Sequence, residues 1–483
     1  MRVSLPARRV SVGLILSVCL ATATATATAM ATAADARPVV TPGPADACTL
    51  AVTDVSVVAM DGKGVQRHRS VLIAGNRILR ITSRATGTRA CARVVDGDGL
   101  YLLPGLNDFH MHVETTAFAT AFGLEAAPVP FRAVLAPYLA AGITGVRVMS
   151  GAPDILEFRR SVQDAPGATP RIVVSSPMLS GDPPVLPEPM TRVVRTAEAA
   201  REAVREYAEL GYDFIKVRDN LKADVFRAVI DEAAAVGLDV DGHTNRSLDI
   251  FRILESGQRG FAHLDELALS DSVAGDPGKA ADLLRACDCY VSTAIGVSAN
   301  VVAQIENYDA MTVREGVAHM HPMVVDLFWR KPNNPYLKGD ASAEFFLKVK
   351  QRSQRLALQF NNRGVRLLAG SDALNPMLLP AQSLHEELAL LAEAGLSAYD
   401  VLRTATVNGA DSVPGFEEIG VIAPGYIANL ILVRGNPLDD IAALRNPVGV
   451  IVDGHYHSRT ALDRVAVDAE AQIAKMRNPP EKE

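Results

Sequence analysis

Two histidines one residue apart, His110 and His112, close an apolar stretch that runs Leu102-Leu103-Pro104-Gly105-Leu106-Asn107-Asp108-Phe109-His110-Met111-His112-Val113-Glu114. Alternate side chains of an extended strand share a face, so both imidazoles point one way and Met111 points the other. A lone histidine is usually a packing residue, whereas an alternating pair at a strand end suits a metal site. Four further residues of ligating type close apolar runs: Lys216 in Phe214-Ile215-Lys216-Val217-Arg218, His243 in Asp239-Val240-Asp241-Gly242-His243, His263 in Gly260-Phe261-Ala262-His263 and Asp372 in Leu368-Ala369-Gly370-Ser371-Asp372. A lysine inside an apolar strand has no inexpensive structural role. Taken singly, each histidine is equally well a core residue and Asp372 a helix cap. Six such residues, each at the end of a different strand or sharing the first, make one constellation the better explanation.

The elements that would position these residues alternate strand and helix, the pattern of successive βα units and a parallel sheet. Eight strand-like runs follow in order: 106–112, 143–149, 171–175, 212–217, 238–243, 260–263, 289–294 and 365–372. Eight is the number that closes a barrel, and a barrel carries its chemistry at the C-terminal ends of its strands. Helical periodicity covers 196–210, 222–236 and 247–257 between them. Two connections are long, a proline-rich loop at 176–190 and an insertion before the eighth strand that holds Trp329, Arg330 and Lys331. Such connections at a barrel mouth are usually lids or pocket walls. Strand-rich stretches at 49–60 and 70–82 have counterparts at 419–425, 428–433 and 448–452, so the expected fold is an α/β (β/α)8 TIM barrel plus a small β-sandwich domain from both chain ends. The corresponding boundaries are 1–36 for a signal peptide, 46–103 and 413–460 for the β domain, 104–412 for the barrel and 461–483 for a polar, frayed tail.

Composition narrows the class. The chain has 483 residues, of which 48% are hydrophobic and 21% charged, with a formal net charge of -7 and no recurring basic patch, which argues against a nucleic-acid partner. Arg2, Arg8 and Arg9 precede the apolar run 10–21 and an Ala-Thr tract with small-residue cleavage options up to Ala36, which reads as an export signal. Export would leave the mature protein periplasmic or secreted, with no integral membrane span; Arg8-Arg9 suggests a twin-arginine route and Leu16-Ser17-Val18-Cys19 a lipid anchor, against which bulky Val18 counts. In an oxidising compartment Cys48 and Cys91, both in the N-terminal β region, make a disulfide hypothesis with buried thiols as the alternative, and Cys287 and Cys289 read as alternating strand residues.

The constellation resembles the amidohydrolase superfamily of metal-dependent hydrolases, in particular its imidazolonepropionase-like and dipeptidase-like branch with a lysine on the fourth strand. By that resemblance His110, His112, Lys216, His243, His263 and Asp372 hold two divalent metal ions, usually zinc, with Lys216 carboxylated by CO2 to a carbamate. Physical argument supports the modification: an ammonium about 4 Å from a divalent ion at an effective dielectric near 20 would be disfavoured by roughly 8 kcal/mol, so Lys216 must lose its proton or be modified. The implied reaction is hydrolysis of an amide or peptide bond in a small substrate, a dipeptide or N-acyl amino acid, with metal-activated water and Asp372 as general base. Alternatives are a mononuclear cyclic-amide hydrolase or deaminase, and an exported binding protein without turnover; Lys216 discriminates, because the deaminases lack it.

For substrate contacts, Arg218 shares the inward face with Lys216 and suits a carboxylate, with a salt bridge to Asp219 as the equal alternative. Tyr290 and Arg330 are weaker pocket candidates. His319-Met320-His321 repeats the opening pattern but falls in a predicted helix, 313–328, where a spacing of two splays the side chains apart. His385 reads as packing, and homo-oligomerisation is left open.

Overall fold

The computed structural model describes residues 47–83, 90–113, 129–162, 167–184, 186, 188–338 and 342–477. The export-signal region, Glu114 and the last six residues lie outside these. Five strands open the described chain: β1 (Leu50–Val58), β2 (Val65–Ala74), β3 (Arg77–Ser83), β4 (Arg93–Asp96) and β5 (Tyr101–Pro104). Their β-branched residues alternate into a core of Val52, Val55, Ile73 and Ile78. β2 and β3 form a hairpin whose two-residue turn, Gly75-Asn76, needs the positive φ of 55° that glycine supplies without a Cβ penalty.

Ten short strands follow: β6 (Leu106–Met111), β7 (Ile143–Val148), β8 (Arg171–Val174), β9 (Met178–Ser180), β10 (Thr191–Val193), β11 (Phe214–Val217), β12 (Asp239–Gly242), β13 (Gly260–Phe261), β14 (Tyr290–Ser292) and β15 (Arg366–Leu368). All pair in parallel, in the orders β6-β7-β8 and β10-β9-β11-β12-β13-β14-β15. A parallel bridge between Ser175 and Phe214 links the first group to β11. On the other side Phe109 N donates to Ala369 O at 3.0 Å and Asp372 N to His110 O at 2.7 Å, joining the continuation of β15 to β6. Burial on both faces explains the unbroken apolar runs, since β6 and β7 are buried at every position.

Helices connect the strands. Ala197–Leu210 starts where Thr196 accepts a hydrogen bond from Ala199 N and stops at left-handed Gly211, and Ala223–Val236 likewise ends at Gly237. Phe226 on the latter is fully buried, worth about 1.5–3 kcal/mol by area alone. The connection between β14 and β15 carries two long helices, Ile295–Met311 and Ala343–Asn362. Three final strands, β16 (Leu430–Val433), β17 (Gly449–Val452) and β18 (His455–Ser458), pair in antiparallel fashion, and β16 joins β5, so one eight-stranded sheet draws on both chain ends.

Several expectations are corrected. The segment 313–328 is not one helix: it breaks into a 3-10 turn, Val317–His319, and a π-helical turn, Val324–Phe328, after a left-handed Gly316. Residues 419–425 make loop rather than strand, and 247–257 holds only the short helix Ile250–Leu254. The supposed tail is a helix, Arg459–Arg477, that buries Leu462, Ala469 and Ile473 and through Arg459 Nη1 reaches Ala140 O at 2.9 Å. Its apolar stripe is sparse enough to read as polar in the sequence. Cys287 and Cys289 lie in the turn before β14, not in a strand, and are joined to each other; Cys48 is joined to Cys91.

Candidate active site

The six candidate residues lie at the C-terminal ends of β6, β11, β12, β13 and β15: His110 and Lys216 fall within β6 and β11, and the other four follow their strands. The pairing of β6 with β7 is irregular between Asp108 and Met111, so the stretch departs from simple alternation, yet His110 and His112 still meet with ring centroids 5.5 Å apart. Their Nε2 atoms lie 3.2 and 3.0 Å from Asp372 Oδ1. His263 Nδ1 is 3.9 Å from Asp372 Oδ2, and its ring stacks at 4.7 Å from His110 and 4.9 Å from His243. Among the described residues, His110, His263 and Asp372 each offer a ligand atom within 4.8 Å of the other two. Lys216 is 1% exposed and pairs in register with Asp241 on the next strand.

The backbone around Asp372 is built for this convergence. Asp372 adopts φ of 52°, a left-handed conformation that turns its carboxylate back over the strand ends. Ser371 is gripped by Asp108, whose Oδ1 accepts from Ser371 N at 3.0 Å and whose Oδ2 accepts from Ser371 Oγ at 2.5 Å. Gly370 leaves room for His110: a Cβ there would lie 2.4 Å from His110 Cβ.

Hydrogen bonds set the imidazole tautomers. His110 Nδ1 donates to Ala262 O at 2.9 Å, and His243 Nδ1 donates to Glu266 Oε1 at 2.5 Å, so each neutral ring keeps a lone pair on Nε2. Burial pushes His110 below the ordinary histidine range, and pushes His243 and His263 well below it, helped by Arg218 beside His243 and by His110 beside His263. Burial also lowers Lys216 to about 8, opposed by Asp241 and Asp372 and reinforced by Arg218 and Arg147.

These residues suit a cation. The lone pair of His110 Nε2 faces a carboxylate oxygen, and among the described residues neither that nitrogen nor buried Lys216 Nζ has a hydrogen-bond partner. Two acceptors held face to face in a dry site, with a deprotonatable amine nearby, are an arrangement that a positive ion relieves. Four imidazole nitrogens and a carboxylate form the borderline-soft donor set that divalent zinc favours.

The other expected contacts divide. Arg218 sits at the site, its Nη1 donating to His243 Nε2 at 2.5 Å, while its Nε is 3.9 Å from Asp219 Oδ1 and lacks a hydrogen bond. Tyr290 is fully buried, and its hydroxyl accepts from Arg147 Nη2 at 3.0 Å. Arg330 is exposed beside the buried Trp329. His319 pairs with Glu470 at 3.2 Å, and His385 Nε2 bonds Ala141 O at 3.1 Å. Sequence reasoning missed Arg147 and Asp241, a fully buried pair below Lys216 with Nη1 to Oδ2 at 2.5 Å. Arg147, inside the apolar strand Ile143-Thr144-Gly145-Val146-Arg147-Val148, carried the same signal that singled out Lys216. It also missed Asn375, whose Nδ2 donates to Asp372 Oδ2 at 2.6 Å, for which no sequence signal existed.

Comparison with known proteins follows this geometry. The profile of a family described as "Amidohydrolase family" matches residues 101–456. No curated protein matches the chain. Among solved structures, a Xaa-Pro dipeptidase with bound methionine in the active site is 19% identical, with a TM-score of 0.66 over 85% of this chain and 99% of that one. A bottromycin amidohydrolase is 23% identical, with a TM-score of 0.68 over 88% and 90%. The ochratoxinase of A. niger is 17% identical, with a TM-score of 0.66 over 86% and 96%. At these identities the likeness is one of fold.

Proposed function

Because this chain belongs to the amidohydrolase family, we propose that it is a metal-dependent hydrolase that cleaves an amide or peptide bond in a small substrate, a dipeptide or an N-acyl amino acid. The observation that carries the reading is Lys216: a buried amine with no hydrogen-bond partner among the described residues, on a strand whose neighbours end in four histidines and an aspartate. In this reading Lys216 is carboxylated and the six residues hold two zinc ions. The bridges from Ser175 to Phe214 and from Met111 to Ala373 support closure of eight parallel strands into a (β/α)8 barrel over 104–412. The eight-stranded end sheet, curled over its own apolar cluster, is the small β domain of 46–103 and 413–460. Residues 1–36 direct export to the periplasm or beyond the cell. Among the described residues no helix is long and apolar enough to cross a membrane.

Bound divalent ions would supply an acidified water and polarise the scissile carbonyl. The chain does the rest. His110, His112, Lys216, His243 and His263 hold the ions, with Glu266 and the Ala262 carbonyl fixing the rings of His243 and His110. Asp372 turns Oδ1 toward the histidine pair and keeps Oδ2 to accept the water proton and return it to the leaving amine. Arg218 anchors a substrate carboxylate with its guanidinium fork.

The test is a screen of dipeptides and N-acyl amino acids on zinc-reconstituted protein with bicarbonate, paired with metal analysis. Amide cleavage with two metal equivalents, one of them lost in Lys216→Ala, is expected; turnover of a lactone or aminopurine with no amide cleavage would overturn the choice. The tight trio of His110, His263 and Asp372 favours a one-metal cyclic-amide hydrolase or deaminase as second reading, and a single equivalent in the wild type would select it.

A further inference from the structure

The loop that carries Asp372 is held in disfavoured backbone. Asp372, Leu374, Met377 and Ala381 all adopt positive φ, at 52°, 79°, 65° and 64°. Four such residues without glycine inside ten positions persist only where surrounding contacts over-determine the chain, and such segments cluster at functional sites. Here the contacts come from the insertion between β14 and β15. Asn300 Nδ2 and Gln304 Nε2 both donate to Pro376 O at 2.7 Å, and Asn334 Nδ2 donates to Gln304 Oε1 at 2.7 Å. All three side chains are buried.

The same clamp ends at the carboxylate. Asn334 Oδ1 accepts from Tyr336 N at 3.0 Å, Tyr336 hydroxyl donates to Asn375 Oδ1 at 3.0 Å, and Asn375 Nδ2 donates to Asp372 Oδ2 at 2.6 Å. Direction is fixed along this chain, because the Asn375 amide can offer its N–H to a carboxylate only by presenting its oxygen to the tyrosine. Asp372 Oδ1 faces the Nε2 atoms of His110 and His112, so the oxygen that Asn375 holds is the one assigned to proton transfer.

We propose that Tyr336 and Asn375 are positioning residues that orient Asp372, so that the insertion, rather than the barrel alone, sets the geometry of the base. This rests on the reading of Asp372 as ligand and base given above. Half-buried Tyr336 packs its ring edge-on to Phe346 at 6.0 Å, which fixes the tyrosine independently of any substrate. The inference assigns the insertion a task beyond covering the mouth: removal of the Tyr336 hydroxyl frees the Asn375 amide to rotate and the Asp372 carboxylate with it.

The experiment is a double-mutant cycle of Tyr336→Phe and Asn375→Ala on the full chain, read in two ways. In the first, cobalt(II) affinity is measured by competition with a chromogenic chelator, without substrate. Loss of a partner that orients a ligand typically weakens metal binding about 10- to 100-fold, so Asn375→Ala should lie in that range and Tyr336→Phe at about its lower end. The double variant should match Asn375→Ala alone. In the second, steady-state kinetics on the cleaved amide should give a kcat lower by about tenfold in each variant with KM changed less than about twofold, again without additivity. Circular dichroism guards against misfolding; Tyr336→Phe, which keeps the ring, is the variant that decides if Asn375→Ala does not fold. Unchanged cobalt affinity in folded Tyr336→Phe, multiplicative losses in the double variant, or a raised KM with unchanged kcat would each overturn the proposal. If the wild type cleaves no amide, the functional reading fails, while the cobalt measurement still judges the positioning role.

Discussion

Arg147→Met isolates the buried pair beneath Lys216. Arg147 and Asp241 are both fully buried, with Nη1 to Oδ2 at 2.5 Å, and among the described residues Asp241 Oδ1 already lacks a partner. Two unit charges at about 4 Å and an effective dielectric near 20 interact by about 4 kcal/mol, and removing one member of a buried pair costs about 3–5 kcal/mol because the other is left as an uncompensated charge. Methionine restores most of the volume that the guanidinium stem fills over the Phe214 ring, 3.8 Å away, so the loss is electrostatic rather than a cavity effect. Against a typical stability of roughly 5–15 kcal/mol the variant should fold but be strongly weakened. A second consequence is chemical. Asp241 is paired in register with Lys216, so a carboxylate freed from Arg147 would hold the lysine as an ammonium and oppose metal loading. The assay is urea unfolding of metal-free protein by circular dichroism, alongside metal stoichiometry. The double variant Arg147→Met with Asp241→Leu should recover at least half of the lost stability. A single-variant loss below about 1 kcal/mol, or a double variant as weak as the sum of its singles, would refute the reasoning.

Three further outcomes follow from the geometry. Arg218→Met should raise KM about tenfold or more for substrates bearing a free carboxylate and far less for their amides; equal effects on both would reject the anchor role. Gly370→Ala places a Cβ 2.4 Å from His110 Cβ and 3.1 Å from its backbone N, so metal content measured by mass spectrometry should fall although the fold persists by circular dichroism. His385 is depressed to about 4 by burial, below the ordinary 6.5, so the unfolded chain takes up the proton first. The stability due to keeping this ring neutral is therefore intact above about pH 6.5 and lost as pH falls toward 4, by about 3 kcal/mol in all. Subtracting the stability profile of His385→Gln from that of the wild type should leave a slope only in that window, and a flat difference would refute the assignment.

How much was legible before the fold depends on whether a residue announces itself by violating its surroundings. Lys216 did so, as a lysine in an apolar strand, and the four histidines and Asp372 did so by ending apolar runs; the structure brings His110, His112 and His263 around Asp372, with the His243 ring beside that of His263. Arg147 violated its strand equally and was passed over because its partner, Asp241, lies 94 residues away. Strand-end periodicity says which face a side chain takes but not what it meets there, and Tyr290 meets the buried guanidinium of Arg147. The helix at Arg459–Arg477 was hidden because its buried residues, Leu462, Ala469 and Ile473, are few and its exposed face dominates the composition.

The amino-acid sequence by itself determined the ligand types, their order along the chain and the alternation of strand and helix, because apolar periodicity and the high cost of burying a lone polar group are local properties. Only the tertiary structure decided which polar groups those ligands lean on. The Ala262 carbonyl against His110, Glu266 against His243, Asp108 beneath Ser371 and Asn375 against Asp372 are set by where separate strands and loops end in space. A hydrogen bond needs donor and acceptor within about 3 Å, and no spacing along a chain specifies that distance between the ends of separate strands.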